Sequence, residues 1–482
     1  MEIQGDYNTA DVKTDSFDEN CRQQIQEMTD HPAFEGENSI KVMPDTHYGA
    51  GAVIGFTMPF TDKVSPNTIG VDIGCGMYAF TLKNQELDLS KEENLEKLDN
   101  LIRDKIPMGF NVHDRSDYHM EKDFPWRKCQ RKLEKFNENS SYNIDHDYSI
   151  EYFKELLEKI EYETGRAINS VGTLGGGNHF IEIGESVEEE STWTVIHSGS
   201  RGVGASIAKY WQAQATQLRT VQKMKSVSDN WMNTDINGET VDLHNYVKFD
   251  ADSTGQEILD WLNGAKGESY KKRDKIEEDF VKEEIAQVHK ELRCIHKTRV
   301  EDRNTDLDYL EKEEAEGYIV DMIFAQTFAS ESRRVMGFKV EEAFREAGAE
   351  DVINMANIES VHNYIDFEDQ IIRKGACSAK ENELIVIPFN MKYGTLIAEG
   401  KGMSSWNQSA PHGAGRAMSR TKAHQKYSVE DMMDQTGGVY MSKKPVDETP
   451  KAYKDPGMVE DAVGETAEVV DRIKPVLSIK AE

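Results

Sequence analysis

Five short strings that join metal-seeking or basic side chains to glycine are spread from residue 71 to residue 420. Three lie before a long, charged, helical stretch at about 255–350, and two lie after it. Side chains of that chemistry act by converging on one point. Convergence across such a stretch requires one interwoven body rather than a row of separable modules. The expected architecture is therefore a single large domain over 1–482, of mixed α/β (α+β) class, with a β-rich core and a helical insertion.

Local patterning agrees with this. Residues 40–80 read as short strands punctuated by Gly49, Gly51, Gly55, Gly70, Gly74 and Gly76. Strands return over 171–205 and 383–398. Residues 85–105 and 150–170 have the spacing of amphipathic helices. Tyr318, Met322, Ala325, Phe328 and Ala329 form an apolar stripe suited to a core-facing helix. No proline between Pro125 and Pro388 interrupts the helical stretch.

The first string is Val71-Asp72-Ile73-Gly74-Cys75-Gly76-Met77. Glycine on both sides leaves the Cys75 thiol unshielded, and Asp72 can face the same point. Thiolate and carboxylate together suit a metal ion, whereas a buried structural cysteine is the plainer reading of that string alone. The second, residues 172–182, places three consecutive glycines before Asn178 and His179, a backbone able to approach an anion closely. The third sets His197 at the end of a strand, with Arg201 as a phosphate-matching fork. The fourth is His362-Asn363 with Arg373-Lys374-Gly375-Ala376. The fifth, His412-Gly413-Ala414-Gly415-Arg416, opens a glycine loop on a histidine able to act on a bound phosphate.

Composition narrows the partners. The five cysteines include no CxxC pair, so neither a disulfide framework nor a zinc ribbon is expected. No segment approaches the ~18–20 apolar residues of a membrane span, and the first residues do not read as a signal peptide. A cytoplasmic protein with no membrane partner is expected. The formal net charge of −31 argues against nucleic acid on its own. Yet Lys392, Lys401, Arg416, Arg420, Lys422 and Lys426 face only Glu399 over 391–426, and a locally basic cleft can sit in an acidic protein. From Gly394 to Lys401 the chain imitates a P-loop, but five residues intervene instead of four, so nucleotide binding of that kind is rejected. The residues alone leave hydrolase and nucleotidyl transferase both open.

Taken in order, the strings closely resemble the RtcB family of RNA-splicing and RNA-repair ligases, in a divergent branch. Met43-Pro44-Asp45-Thr46-His47, Ala452-Tyr453-Lys454-Asp455 and Lys480 extend the match to nearly the whole chain. The resemblance implies an enzyme that joins RNA 2′,3′-cyclic phosphate or 3′-phosphate ends to 5′-hydroxyl ends, using GTP and two Mn2+ ions. It implies that Asp72, Cys75 and His179 hold one ion and Cys75, His197 and His362 the other. His412 would carry GMP. Asn178, Phe180, Glu182, Asn363, Asn390, Thr395, Gly413, Ala414, Gly415, Tyr453 and Lys480 would contact the guanylate. Asp45, Arg201, Arg373, Lys374 and Arg416 would meet RNA or phosphate. An archease-like activator is a further family expectation. In this chain Asn390 and Thr395 stand in a loop where the family usually has serine, and Pro411 precedes His412 where many members have cysteine. Two rival readings are an enzyme that guanylylates 3′-phosphate ends without sealing them, and a non-catalytic RNA-end binder.

Overall fold

The computed structural model describes residues 1–83, 86–231, 233–236, 239–247, 272–300, 305–349 and 352–481. Two compact units are distinguished: 1–210 with 311–482, and 211–310. The expected helical stretch thus divides. Residues 255–271 lie outside the described residues. The helices Arg273–Asp279 and Lys282–Val300 belong to the smaller unit, and Glu313–Ala347 belongs to the larger. The smaller unit also holds the hairpin of Asn233–Ile236 and Glu239–Asp242, and its own core of Ile236, Leu243, Val247, Ile276, Val288 and Leu292.

The larger unit is β-rich, as expected. Seven antiparallel strands run in the order Ile353–Val361, Gly76–Lys83, Thr192–Ser198, Phe180–Ser186, Ala467–Lys480, Gly394–Gly400, Leu384–Asn390. A six-stranded sheet runs Glu2–Gln4, Thr9–Val12, Ile40–His47, Ile54–Pro59, Ile371–Lys374, Asn363–Asp366. The strand ends of both sheets carry the glycine-bordered strings.

The helix Glu313–Ala347 is the spine of this unit. It is apolar around most of its circumference, and its buried side chains include Tyr318, Met322, Phe324, Phe328, Met336 and Phe344. Such a helix must be covered on several sides. Met336, Val340 and Phe344 pack with Leu98 and Ile102 of helix Glu92–Lys105 and with Phe80, Ile181 and Ile196 of the seven-stranded sheet.

Within this apolar helix lies one fully buried guanidinium. Arg333 Nη1 donates to the Gly74 and Ser198 carbonyls, both at 2.7 Å, and Nη2 donates to Glu359 Oε1 at 2.7 Å. Three separate segments are thereby fixed to one side chain. Replacing it with an apolar group of similar length leaves two carbonyls and a carboxylate without their donor. Arg333→Met is expected to destabilise the protein by about 3 kcal/mol or more, the usual scale for breaking a buried charged network. Chemical denaturation would measure this, and a loss below ~1 kcal/mol would contradict the assignment.

Candidate metal centre and nucleotide pocket

The strands that end beside Arg333 deliver the metal-seeking side chains. Cys75 precedes strand Gly76–Lys83, and His197 ends Thr192–Ser198. His179 precedes Phe180–Ser186, and His362 joins Ile353–Val361 to Asn363–Asp366. Backbone bonds lock these ends together, with His362 N donating to Cys75 O at 2.9 Å and Gly74 N to Asn363 O at 2.7 Å.

The five expected ligands converge. Cys75 Sγ lies 3.5 Å from His179 Nε2 and 3.3 Å from His197 Nε2. His179 Nε2 is 2.9 Å from Asp72 Oδ2, and His197 Nε2 is 3.3 Å from His362 Nε2. Cys75, His179 and His197 are buried, with ligand atoms all within 4.8 Å of one another. The donor set fits a cation. His179 Nδ1 faces the Leu174 carbonyl at 3.0 Å, and His197 Nδ1 faces that of Asn178 at 3.2 Å. Each carbonyl can hold a proton on Nδ1, which turns the Nε2 lone pair toward Cys75, as metal-binding histidines require.

Glycine is needed at two points here. A Cβ on Gly199 would stand 2.1 Å from Asp72 Oδ1, and one on Gly175, where φ is +91°, would stand 2.7 Å from His179 Nδ1.

Electrostatics follow from burial. Burial, then Asp72, pushes the Cys75 thiol well above its ordinary value. Burial and the neighbouring imidazoles push His197 and His362 well down. Burial penalises the Asp72 carboxylate, but His179 and Arg201 outweigh it and hold its pKa below the usual range. A bound cation needs the thiolate, so metal uptake must release its proton.

Beside the centre, the His362 and His412 rings lie 4.9 Å apart. His412 Nδ1 is 2.8 Å from Asp45 Oδ2, although the pair is out of hydrogen-bond alignment. Asp45 is thus placed beside the fifth string. The close approach depends on Gly415, with φ +65°, whose Cβ would meet the Asp45 carbonyl at 2.5 Å.

His412 opens onto a cavity also lined by Asn178, Phe180, Glu182, Asn390, Gly413, Ala414, Gly415, Arg416, Tyr453 and Lys480. Ten residues expected at the guanylate or phosphate thus meet around His412. Two of the expected guanylate contacts do not line the cavity. Thr395 is buried in the sheet opposite Ile473, and Asn363 joins the metal loops by donating to the Asp72 carbonyl at 3.4 Å. Asn390 lines it, but its Oδ1 accepts from Lys392 N and Tyr393 N, both at 3.0 Å, and so caps its own turn.

The remaining basic positions are held inside. Arg373, read from the sequence as meeting RNA or phosphate, is fully buried, with Asp369 at 2.8 Å, Asp366 at 3.3 Å and Ser409 Oγ at 2.8 Å. Lys374 is buried against backbone carbonyls of Ala50 and Asn67. Arg201 spans Thr173 Oγ1 and the Gly109 carbonyl.

Glu448 does not stand out in the sequence. It is 2 % exposed and gathers Lys480 at 2.8 Å, Arg416 at 3.1 Å, Arg420 at 2.6 Å and the Tyr453 hydroxyl. Burial opposes its charge, but Lys480 and Arg420 prevail and hold its pKa at about 2.

The family described as "tRNA-splicing ligase RtcB" matches residues 24–251 and 269–481. The chain is 28% identical over 465 residues to "RNA-splicing ligase RtcB" of Escherichia coli (strain K12), covering 92% of this chain and 90% of that protein. It is 22% identical over 497 residues to "tRNA-splicing ligase RtcB" of Methanococcus maripaludis, covering 94% and 90%. For the namesake of Aeropyrum pernix the identity is 24% over 489 residues, covering 90% and 86%.

Glu182 supplies a titration test of the cavity. Burial pushes its carboxyl up to about 7, against the opposing pull of Lys480 and Ser478. A carboxyl raised on folding stabilises the fold in its protonated form. That contribution is complete below ~4.3, the unfolded value, and is lost as pH rises through about 7. His197 and His362 act in the opposite sense, losing stability as pH falls below ~6.5. The expected result is therefore differential. Between about pH 5 and about pH 7.5 the metal-free wild type loses stability relative to Glu182→Gln, measured by urea unfolding. Parallel pH profiles for the two proteins would refute it.

Proposed function

The chain belongs to the RtcB family, and on that premise we propose that it is a GTP- and manganese-dependent RNA ligase. It would join RNA 2′,3′-cyclic phosphate or 3′-phosphate ends to 5′-hydroxyl ends through a guanylate carried on His412. The observation that carries this reading is the placement of His412. Its ring stands 4.9 Å from that of His362, at the border between the buried ligand cluster and the Glu182–Lys480 cavity. Hydrolysis alone would give such a histidine no covalent role.

Asp72, Cys75 and His179 would hold one ion, and Cys75, His197 and His362 the second, with the thiolate shared. Bound there, the ions would neutralise phosphate oxygens and orient the groups exchanged. The protein's own residues supply the rest. Asp45 lies beside Nδ1, and attack requires a neutral His412 ring with its Nε2 lone pair free. A bond forms from Nε2 to the GTP α-phosphorus while the bond to pyrophosphate breaks, and pyrophosphate leaves with the electron pair.

An oxygen of the RNA 3′-phosphate then takes the guanylyl group and His412 regains its lone pair. The 5′-hydroxyl oxygen next attacks the activated 3′-phosphorus, loses its proton and expels GMP. A cyclic phosphate is first opened by water to the 3′-phosphate. Phe180, Tyr453 and Glu182 line the cavity that would take the guanine, with Lys480 above the Phe180 ring at 5.3 Å and Arg416 above that of Tyr453 at 5.2 Å.

Incubation with manganese and α-labelled GTP should label the protein in an acid-labile adduct, and His412→Ala should abolish it. No adduct under metal-loaded conditions, with or without an RNA end, would sink the reading. Added RNA with a 3′-phosphate and a 5′-hydroxyl should be sealed; a guanylylated 3′-end that accumulates unjoined would replace sealing by capping. For the metal centre, Cys75→Ala should empty both positions while His197→Ala empties mainly one, as read by metal content after dialysis. Equal content in wild type and Cys75→Ala would contradict the shared thiolate.

A further inference from the structure

A second cavity, of ≈ 570 Å³, shares no lining residue with the one beside His412. Val361 and Tyr364 line it, whereas His362 and Asn363 between them do not, so it belongs to the other side of the segment that delivers a metal ligand. Its opposite wall is the helix Trp126–Asn139. Lys128, Arg131, Lys132 and Lys135 all face the cavity from this helix. Their i, i+3, i+4, i+7 spacing makes them one continuous stripe.

The acids of the cavity are already engaged. Glu359 is bound by Arg333 at 2.7 Å and by Ser330 at 3.0 Å, and Arg333 with Lys128 keeps its pKa at about 2 against burial. Asp366 is held by Arg373 at 3.3 Å and Lys380 at 3.1 Å. Glu383 accepts from Ser378 Oγ and Lys380 N, and Glu368 lies 3.6 Å from Lys380. The helix wall is not balanced in this way. Lys128 donates to Ser330 Oγ at 2.8 Å and is 3.9 Å from Glu359. Lys135 pairs with the exposed Glu138 at 2.7 Å and feels Glu368 more weakly. Arg131 and Lys132 make no hydrogen bond or ion pair among the described residues, and Lys132 is half-buried. Burial, then Lys128, push the Lys132 ammonium down to about 8 against the pull of Glu359, and an added anion would favour its charged form.

We propose that this stripe is a second phosphate-binding surface, which takes the backbone of the RNA substrate away from the reacting ends. The proposal rests on the reading of RNA as substrate. The stripe is extended, since the seven steps from Lys128 to Lys135 at 1.5 Å rise span about 10 Å, room for more than one backbone phosphate. A chain of net charge −31 that concentrates cations on one helix face needs a local polyanion to make use of them. Recognition is by charge and not by base, so the surface is indifferent to sequence.

The test uses the full chain and a single-stranded RNA with a 5′-phosphate and a 3′-hydroxyl, ends that the proposed reaction does not use. Binding is followed by fluorescence anisotropy across a salt series. Arg131→Gln with Lys132→Gln should weaken binding ~10-fold and flatten the slope of log K against log salt by about 1.4, at ~0.7 for each phosphate no longer neutralised. Arg127→Gln, on the same helix but outside the cavity, should leave both unchanged. GMP transfer to the protein needs no RNA and should be unaffected in every variant, so loss of that adduct in wild type indicts the ligase reading and not this one. Unchanged affinity and slope in the double variant would overturn the proposal. So would failure of wild type to bind this RNA, or its displacement by inorganic phosphate at equal phosphate concentration, which would make the cavity a small-anion site.

Discussion

The buried guanidinium of Arg333 holds the centre together. It grips the carbonyl before Cys75, the carbonyl after His197 and a carboxylate three residues before His362. Three ligands from three strands are thus referred to one rigid side chain. A flexible ammonium would not serve, because the contacts need a planar fork with fixed donor directions. The helix carrying Arg333 must also approach the ligand loop closely. Gly74, at φ +72°, permits this, since a Cβ there would lie 2.9 Å from the Gln326 Cα. The glycines around Cys75 therefore serve helix packing as much as access to the thiol.

The turns around Cys75, His179 and His197 were legible from their glycines, whereas His362 has no glycine beside it, and the joint ligand assignment came from the family resemblance. The β-rich core was legible from its alternation. Basic residues were harder to place. Arg373 and Lys374 sit beside Gly375 in a string that reads like a phosphate site, but they are buried against carboxylates and carbonyls. An arginine beside glycine looks the same in sequence whether its partner is a ligand or an internal carboxylate. Glu448 was illegible for the converse reason, since Arg416, Arg420 and Lys480 lie 28 to 32 residues away and only the fold gathers them. Thr395 shows a third limit. A one-residue change of strand phase decides whether a side chain faces a cavity or the sheet, and the loop around Asn390 carries a register shift. The division into two units was hidden because an apolar helical stripe does not declare which body it packs into.

The same pairing explains how an acidic protein could accommodate phosphates. Around the cavity, Arg416, Arg420 and Lys480 are largely neutralised by Glu448 and Asp447. The ligand cluster itself carries little positive charge, because burial disfavours the protonated forms of His197 and His362 and the thiolate form of Cys75. Side chains alone therefore offer a triphosphate little net attraction. Under the proposed mechanism the ions bring that charge, and they bring it where Cys75, His197 and His362 meet, next to His412. Coupling between metal and nucleotide is then a matter of charge balance. An ion held there would add positive charge to a cluster that burial keeps near neutral, and that charge would favour a phosphate beside it.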